Sequence, residues 1–145
     1  MEPRGREQKP NKIVSEAIRE ASSKIRFGED FVPAELFDNL AHSVAKELAG
    51  AQERFNKPSQ IRRFYDELVS WQQRIGGEES EFKKYEAFIR MMNAKIAYAS
   101  GRELVDANFE HWFTSANRAV TSAKGLEHFR LHFEAVLGFL KGIRG

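Results

Sequence analysis

The chain has 145 residues, of which 41% are hydrophobic and 12% aromatic, with a formal net charge of +2 and no cysteine. This length is typical of one domain, and the lack of cysteine excludes disulfides, thiolate catalysis and zinc sites built on cysteine. No apolar run approaches the length of a membrane span, and no apolar stretch follows the charged first residues. We therefore expect a cytoplasmic protein without a signal peptide and without membrane contact.

Glycine and proline divide the chain into segments in which apolar residues recur every three or four positions, as in amphipathic helices. Sustained alternation typical of strands is absent. The pattern predicts an all-α fold: a single helical domain at residues 12–145, folded as a compact bundle of five to six helices, after a disordered polar tail at residues 1–11. The predicted helices span residues 12–26, 33–49, 59–75, 80–101, 103–122 and 126–141.

Local signals mark some of these boundaries. Pro33 suits the first position of the second helix, and Ser59 is predicted to cap the third. The acidic residues at 78, 79 and 81 favour the positive end of the fourth helix dipole. Residues 50–57 fit either a helix extension or a linker.

The sequence offers little catalytic chemistry. His128 and His132 stand four residues apart on one helical face, but zinc needs at least a third protein ligand. Asp66 and Glu67 each follow an arginine by four residues, which favours surface ion pairs over an acid–base couple. No phosphate-binding loop or nucleophile motif occurs. We expect no enzyme activity, no cofactor and no metal site.

The fourth helix carries the most informative pattern. Lys84, Met91, Lys95, Tyr98 and Arg102 fall within roughly 60° of one another at 100° per residue, on a face separate from the apolar one. No acid lies on this strip. Such cations can follow a phosphate backbone and the tyrosine can stack on a base, although a solvated face is the alternative. Further candidate cations come from neighbouring helices: Arg62, Arg63, Arg74, Arg118 and Lys124.

The sixth helix has apolar residues on two sides. Besides its core face it shows Leu131, Ala135 and Phe139 on the opposite side. This pattern indicates either a contact with another subunit, through Leu131 and Phe139, or burial by the first two helices.

Three runs in order, KPSQIRRFYDELVSWQQRI, FKKYEAFIRMMNAKIAYASGR and KGLEHFRLHFEAVLGFLK, resemble the small helical subunit of type III-A CRISPR effector complexes, the second subunit of the Csm complex. The resemblance covers residues 57–141. It implies a subunit without activity of its own, of which several copies stack along the duplex of CRISPR RNA and target RNA. Its neighbours would be copies of itself, the repeated backbone subunit and the large polymerase-like subunit.

The resemblance also implies which residues face RNA. The basic positions of the family map onto Arg62, Arg63, Lys95 and Arg102, and Tyr98 lies inside the matched motif. The resemblance implies contact with the RNA backbone without sequence specificity, because base pairing with the guide supplies the specificity. The alternative is a helical protein–protein adaptor with no nucleic-acid role, whose functional surface would be the second side of the sixth helix.

Overall fold

A computed structural model describes residues 10–145. Within that range the chain forms six α-helices and two short 3₁₀ turns, Pro10–Lys12 and Ala34–Phe37, with no strand, which confirms the all-α prediction. The predicted tail falls outside the described residues except for its last two positions, which belong to the first 3₁₀ turn. The helices are α1 (Glu16–Ser23), α2 (Asn39–Ala49), α3 (Pro58–Ile75), α4 (Glu79–Gly101), α5 (Ala107–Ala119) and α6 (Ala123–Arg144).

Side-chain caps set the starts of three helices, and all three starts correct the predictions. The Ser15 hydroxyl accepts a hydrogen bond from the Ile18 amide at 3.1 Å, so α1 begins at residue 16 and not at 12. The Asp106 carboxylate accepts from the Phe109 amide at 3.0 Å, so α5 begins at 107 and not at 103. Such caps satisfy amides that have no partner in the first turn.

The third capped helix is α6, where Ser122 accepts from the Gly125 amide at 2.9 Å and starts the helix three residues before the predicted position. The predicted cap at Ser59 is wrong. Pro58 occupies the first turn of α3 and the helix has no side-chain cap. Proline suits that place because its nitrogen carries no hydrogen that would need a partner.

The predicted second helix is divided. Residues 34–37 form the 3₁₀ turn, and α2 follows it after Asp38. Residues 50–57, between α2 and α3, are a linker that contributes the buried Phe55 and Asn56 to the interior.

The core is built on α6, which packs against α2, α3, α4 and α5. Its centre is a set of rings without solvent exposure, in which Trp112 meets Phe133 edge-on at 5.0 Å and Phe113 lies 5.3 Å from Phe129. Edge-on and tilted ring pairs add favourable electrostatics to the burial of apolar area. α1 packs on α2 and α5, at the side of the bundle away from α4.

The second apolar side of α6 faces α2. Phe139 stacks on His42 with ring centroids 4.8 Å apart and packs against the core, while Leu131 is half-buried. Packing against α2 thus explains why α6 carries the apolar residue Phe139 on its second side. A subunit contact through Leu131 and Phe139 stays a prediction.

Candidate nucleic-acid interface

α3 and α4 form an antiparallel hairpin that frames an open groove. The turn between them, Gly76–Gly77, has φ of +60° and +85°, in the left-handed region that favours glycine. The groove on the outer side of this hairpin has a volume of about 470 Å³. Among its lining residues are Arg63, Glu67, Met91, Lys95, Tyr98 and Arg102.

Contacts with α5 fix the rotation of α4. The Arg90 guanidinium donates to the carbonyl oxygens of Asn117, at 2.8 Å, and Val120 at the end of α5. In return the Asn117 amide donates to the Ile89 carbonyl at 2.9 Å. Because Arg90 points toward α5, the strip that carries Lys95 and Tyr98 faces away from the core.

The strip itself is exposed, as predicted, and it contains one more aromatic residue. Tyr98 is 67% exposed, Met91 58% and Phe88 51%. Phe88 lies on the strip between Lys84 and Met91. Positions 84, 88, 91, 95, 98 and 102 are spaced by alternating steps of four and three, which keeps cations and apolar groups on one face. The strip runs about 27 Å from Lys84 to Arg102 at 1.5 Å per residue.

An acid does reach the strip, contrary to the sequence expectation, because it comes from α3. Both carboxylate oxygens of Glu67 lie within 3.1 Å of the Lys95 ammonium. The expected pair of Glu67 with Arg63 is therefore not formed, whereas Arg62 does pair with Asp66 at 3.5 Å. Within residues 10–145, Arg63 forms no ion pair.

Arg102 lies at the end of the groove, where its guanidinium sits 5.8 Å from the centre of the Tyr98 ring. It also forms no ion pair in the part of the chain that the structure describes. With respect to residues 10–145, the groove thus holds two guanidinium groups without an ion pair, one lysine paired with the Glu67 carboxylate, and an exposed tyrosine. An exposed ion pair contributes about 1 kcal/mol at most, so an anionic ligand can displace Glu67 from Lys95.

The remaining candidates lie elsewhere. Arg62 faces a second groove, between α3 and α6. Arg118 lies in a cleft beside α5, and Lys124 pairs with Asp30 at 3.2 Å. Lys84 stands on the strip but beyond the groove, 5.3 Å from the Tyr85 ring. The structure therefore brings together Arg63, Lys95, Tyr98 and Arg102.

The side chains of His128 and His132 are buried and hydrogen-bonded. The Nδ1 of His132 contacts the Leu36 carbonyl at 2.6 Å, and its Nε2 accepts from the Trp112 indole at 3.1 Å. His128 Nδ1 accepts from the Gly28 amide at 2.9 Å. Burial lowers the pKa of His132 to about 4 and also lowers the pKa of His128. No cluster of three potential metal ligands occurs among residues 10–145.

A model of the family described as Csm2 Type III-A matches residues 32–145. The chain belongs to the Csm2 Type III-A family. The match includes α2 to α6, and so the whole groove, and leaves α1 outside. It confirms the resemblance and extends it to residues before 57. The chain is thus a small subunit of the CRISPR-associated Csm complex, which holds other subunits besides this one.

No curated protein and no solved structure matches the chain. Family membership is consistent with a structural subunit that is not an enzyme. In the described part of the chain, no helix combines the length and the hydropathy needed to span a bilayer.

Two residues of the candidate site were not predicted from the sequence: Glu67, which lines the groove, and Phe88, which lies on the strip. Glu67 was assigned to Arg63 by its spacing along α3, and only the packing of α3 on α4 shows that Lys95 is its partner. Phe88 carried a usable signal, because it continues the four–three spacing of the strip.

Proposed function

We propose that this Csm2 family member is a non-catalytic subunit that binds RNA backbone, without sequence specificity, along the groove between α3 and α4. In the assembled complex it stacks in several copies along the duplex of CRISPR RNA and target RNA. Its protein neighbours in that arrangement are its own copies, the repeated backbone subunit and the large polymerase-like subunit. The cytoplasm, where guide and target RNA meet, is the compartment that fits this role.

One observation carries the proposal: Arg63, Lys95 and Arg102 converge from two helices around the exposed Tyr98. Guanidinium groups bind phosphate in bidentate geometry, and the two in the groove have no competing ion pair among the described residues. The cationic side chains of the groove are long and flexible. This suits contact with phosphates along a backbone, in which no base identity is read.

The adaptor alternative receives less support from the structure. It places the functional surface on the second side of α6, where Phe139 is stacked on His42 and packed on the core. A surface already occupied by α2 within the same chain offers little area to a partner.

A photo-crosslinker tests the proposal in the intact complex. Benzoylphenylalanine in place of Tyr98 is expected to form an adduct with CRISPR RNA or target RNA, because this side chain projects from the groove. The matched control carries the same group in place of Phe31, which is 91% exposed in the loop before α2. RNA adducts at position 98 and none at 31 are expected. A complex that contains the subunit but gives no RNA adduct at position 98 would contradict the proposal.

A further inference from the structure

An exposed aromatic cluster continues the groove toward the turn between α3 and α4. The Trp71 and Phe88 rings are stacked, with centroids 5.7 Å apart and planes within 17°. Tyr85 lies 5.6 Å from Trp71 and 6.5 Å from Phe88. Half of Phe88 is open to solvent, and the other two rings are half-buried. The Glu67 carboxylate accepts a hydrogen bond from the Trp71 indole at 3.4 Å, which orients that ring.

Cations flank the same rings. The Arg74 guanidinium lies 4.9 Å from the centre of Tyr85, and the Lys84 ammonium lies 5.3 Å from it. Within residues 10–145 neither cation forms an ion pair with a carboxylate. The cluster therefore presents open ring surface next to positive charge, and its chemistry is complementary to an anionic ligand that carries flat, stackable groups.

Resting on the proposed function, we propose that Phe88, supported by Trp71 and Tyr85, forms a stacking site for one unpaired nucleobase of the bound RNA, while Arg74 and Lys84 contact the adjoining phosphates. A base inside a duplex has both faces covered by its neighbours, so only an unpaired or terminal base can stack on the cluster. The site lies about 21 Å from Arg102 along α4, so one strand can reach both. An acidic peptide would also meet the two cations, but it lacks aromatic faces for Phe88.

Tryptophan fluorescence tests the stacking directly. The chain has two tryptophans: Trp71 lies in the cluster and Trp112 is fully buried. Titration of the full chain with an oligouridylate at low ionic strength is expected to quench the Trp71 emission, because a base stacked on Phe88 comes close to the indole. Inorganic polyphosphate of similar charge has no bases and is expected to bind without quenching.

A substitution gives a second readout. Phe88→Ala is expected to weaken oligouridylate binding roughly fivefold or more, the low end of the range for losing one base–aromatic stack, and to leave polyphosphate binding unchanged. Phe31→Ala, which removes an exposed ring outside the cluster, is the matched control and should bind as the parent chain does.

The outcomes separate the two proposals. RNA that binds the wild-type chain, as measured by anisotropy of a labelled strand, without quenching Trp71 overturns the stacking site and leaves the proposed function standing. Equal quenching by oligouridylate and polyphosphate also overturns it, since no base is then needed. A chain that binds no RNA at low ionic strength overturns both.

Discussion

Asp106→Ala is expected to lower the free energy of unfolding by about 2 to 4 kcal/mol, the sum of a lost helix cap and a buried donor left without a partner. The carboxylate caps α5 and accepts a hydrogen bond from the Asn56 side-chain amide at 2.9 Å. Asn56 is fully buried, has a φ of +54° and accepts in return from the Asp106 amide at 3.0 Å. Removing the carboxylate leaves one of the two N–H groups of the Asn56 side chain without a partner in the interior, while the other still donates to the Leu48 carbonyl at 3.3 Å.

The same network holds the end of α6. The Arg144 guanidinium donates to the carbonyl oxygens of Asn56, at 2.7 Å, and Leu48, at 3.3 Å. Asn56 thus joins α2, α5 and α6 at a point where the linker between α2 and α3 enters the core. We expect the loss of Asp106 to loosen all three attachments at once, and urea unfolding followed by far-ultraviolet circular dichroism measures the result.

Asp106→Asn is the matched control. An asparagine oxygen can accept the same two hydrogen bonds, and asparagine is itself a good cap. Burial raises the pKa of Asp106 despite its hydrogen bonds, so the charge brings a desolvation cost that the amide avoids. We expect the asparagine variant to stay within about 1 kcal/mol of the parent. Equal destabilisation in the two variants would show that the charge, and not the hydrogen bonding, stabilises this junction.

His132 is expected to make the domain progressively less stable between about pH 6.5 and pH 4. Its two ring nitrogens are engaged by Trp112 and Leu36 in the neutral form, and burial lowers the pKa to about 4 in the folded state. In the unfolded chain the ring titrates near 6.5. Between pH 6.5 and pH 4 the unfolded state therefore binds more protons than the folded state, and the free energy of unfolding decreases as the pH is lowered. The full loss amounts to about 3 kcal/mol, reached near pH 4.

His132→Gln tests this assignment through the pH slope and not through absolute stability. Denaturant unfolding of both proteins at several pH values between 4 and 7 should show a shallower dependence in the variant. Burial also lowers the pKa of His128 and His111, so a smaller slope of the same sign remains. If the stability of the variant decreases as steeply as that of the parent when the pH is lowered, the effect comes from other groups.

Helix content was predictable because apolar residues repeat at helical spacing in every segment of the core. Helix ends were less predictable, because a serine or aspartate can cap a helix only where the chain turns into it. Ser15, Asp106 and Ser122 do so, and Ser59 does not because the preceding proline already starts α3. The choice among possible caps depends on tertiary packing, which periodicity does not contain.

The candidate interface was predictable within one helix and not between helices. The strip on α4 follows from angular spacing alone, and four of the named residues meet in the groove. The pairing of Lys95 with Glu67 depends on how α3 and α4 are aligned, which the sequence does not give. Adjacent arginines illustrate the same limit: Arg63 lines this groove, while Arg62 turns toward α6.

Salt dependence of RNA binding tests the central claim, that cations of the α3–α4 groove contact phosphates. Each such contact on a single strand contributes roughly 0.7 to the slope of log affinity against log salt concentration, so Lys95→Glu combined with Arg102→Glu should flatten the slope by about 1.4. Glu67→Gln is the matched control at the same site. It frees Lys95 from its carboxylate and should strengthen binding without flattening the slope. A slope unchanged by the double charge reversal would contradict the account.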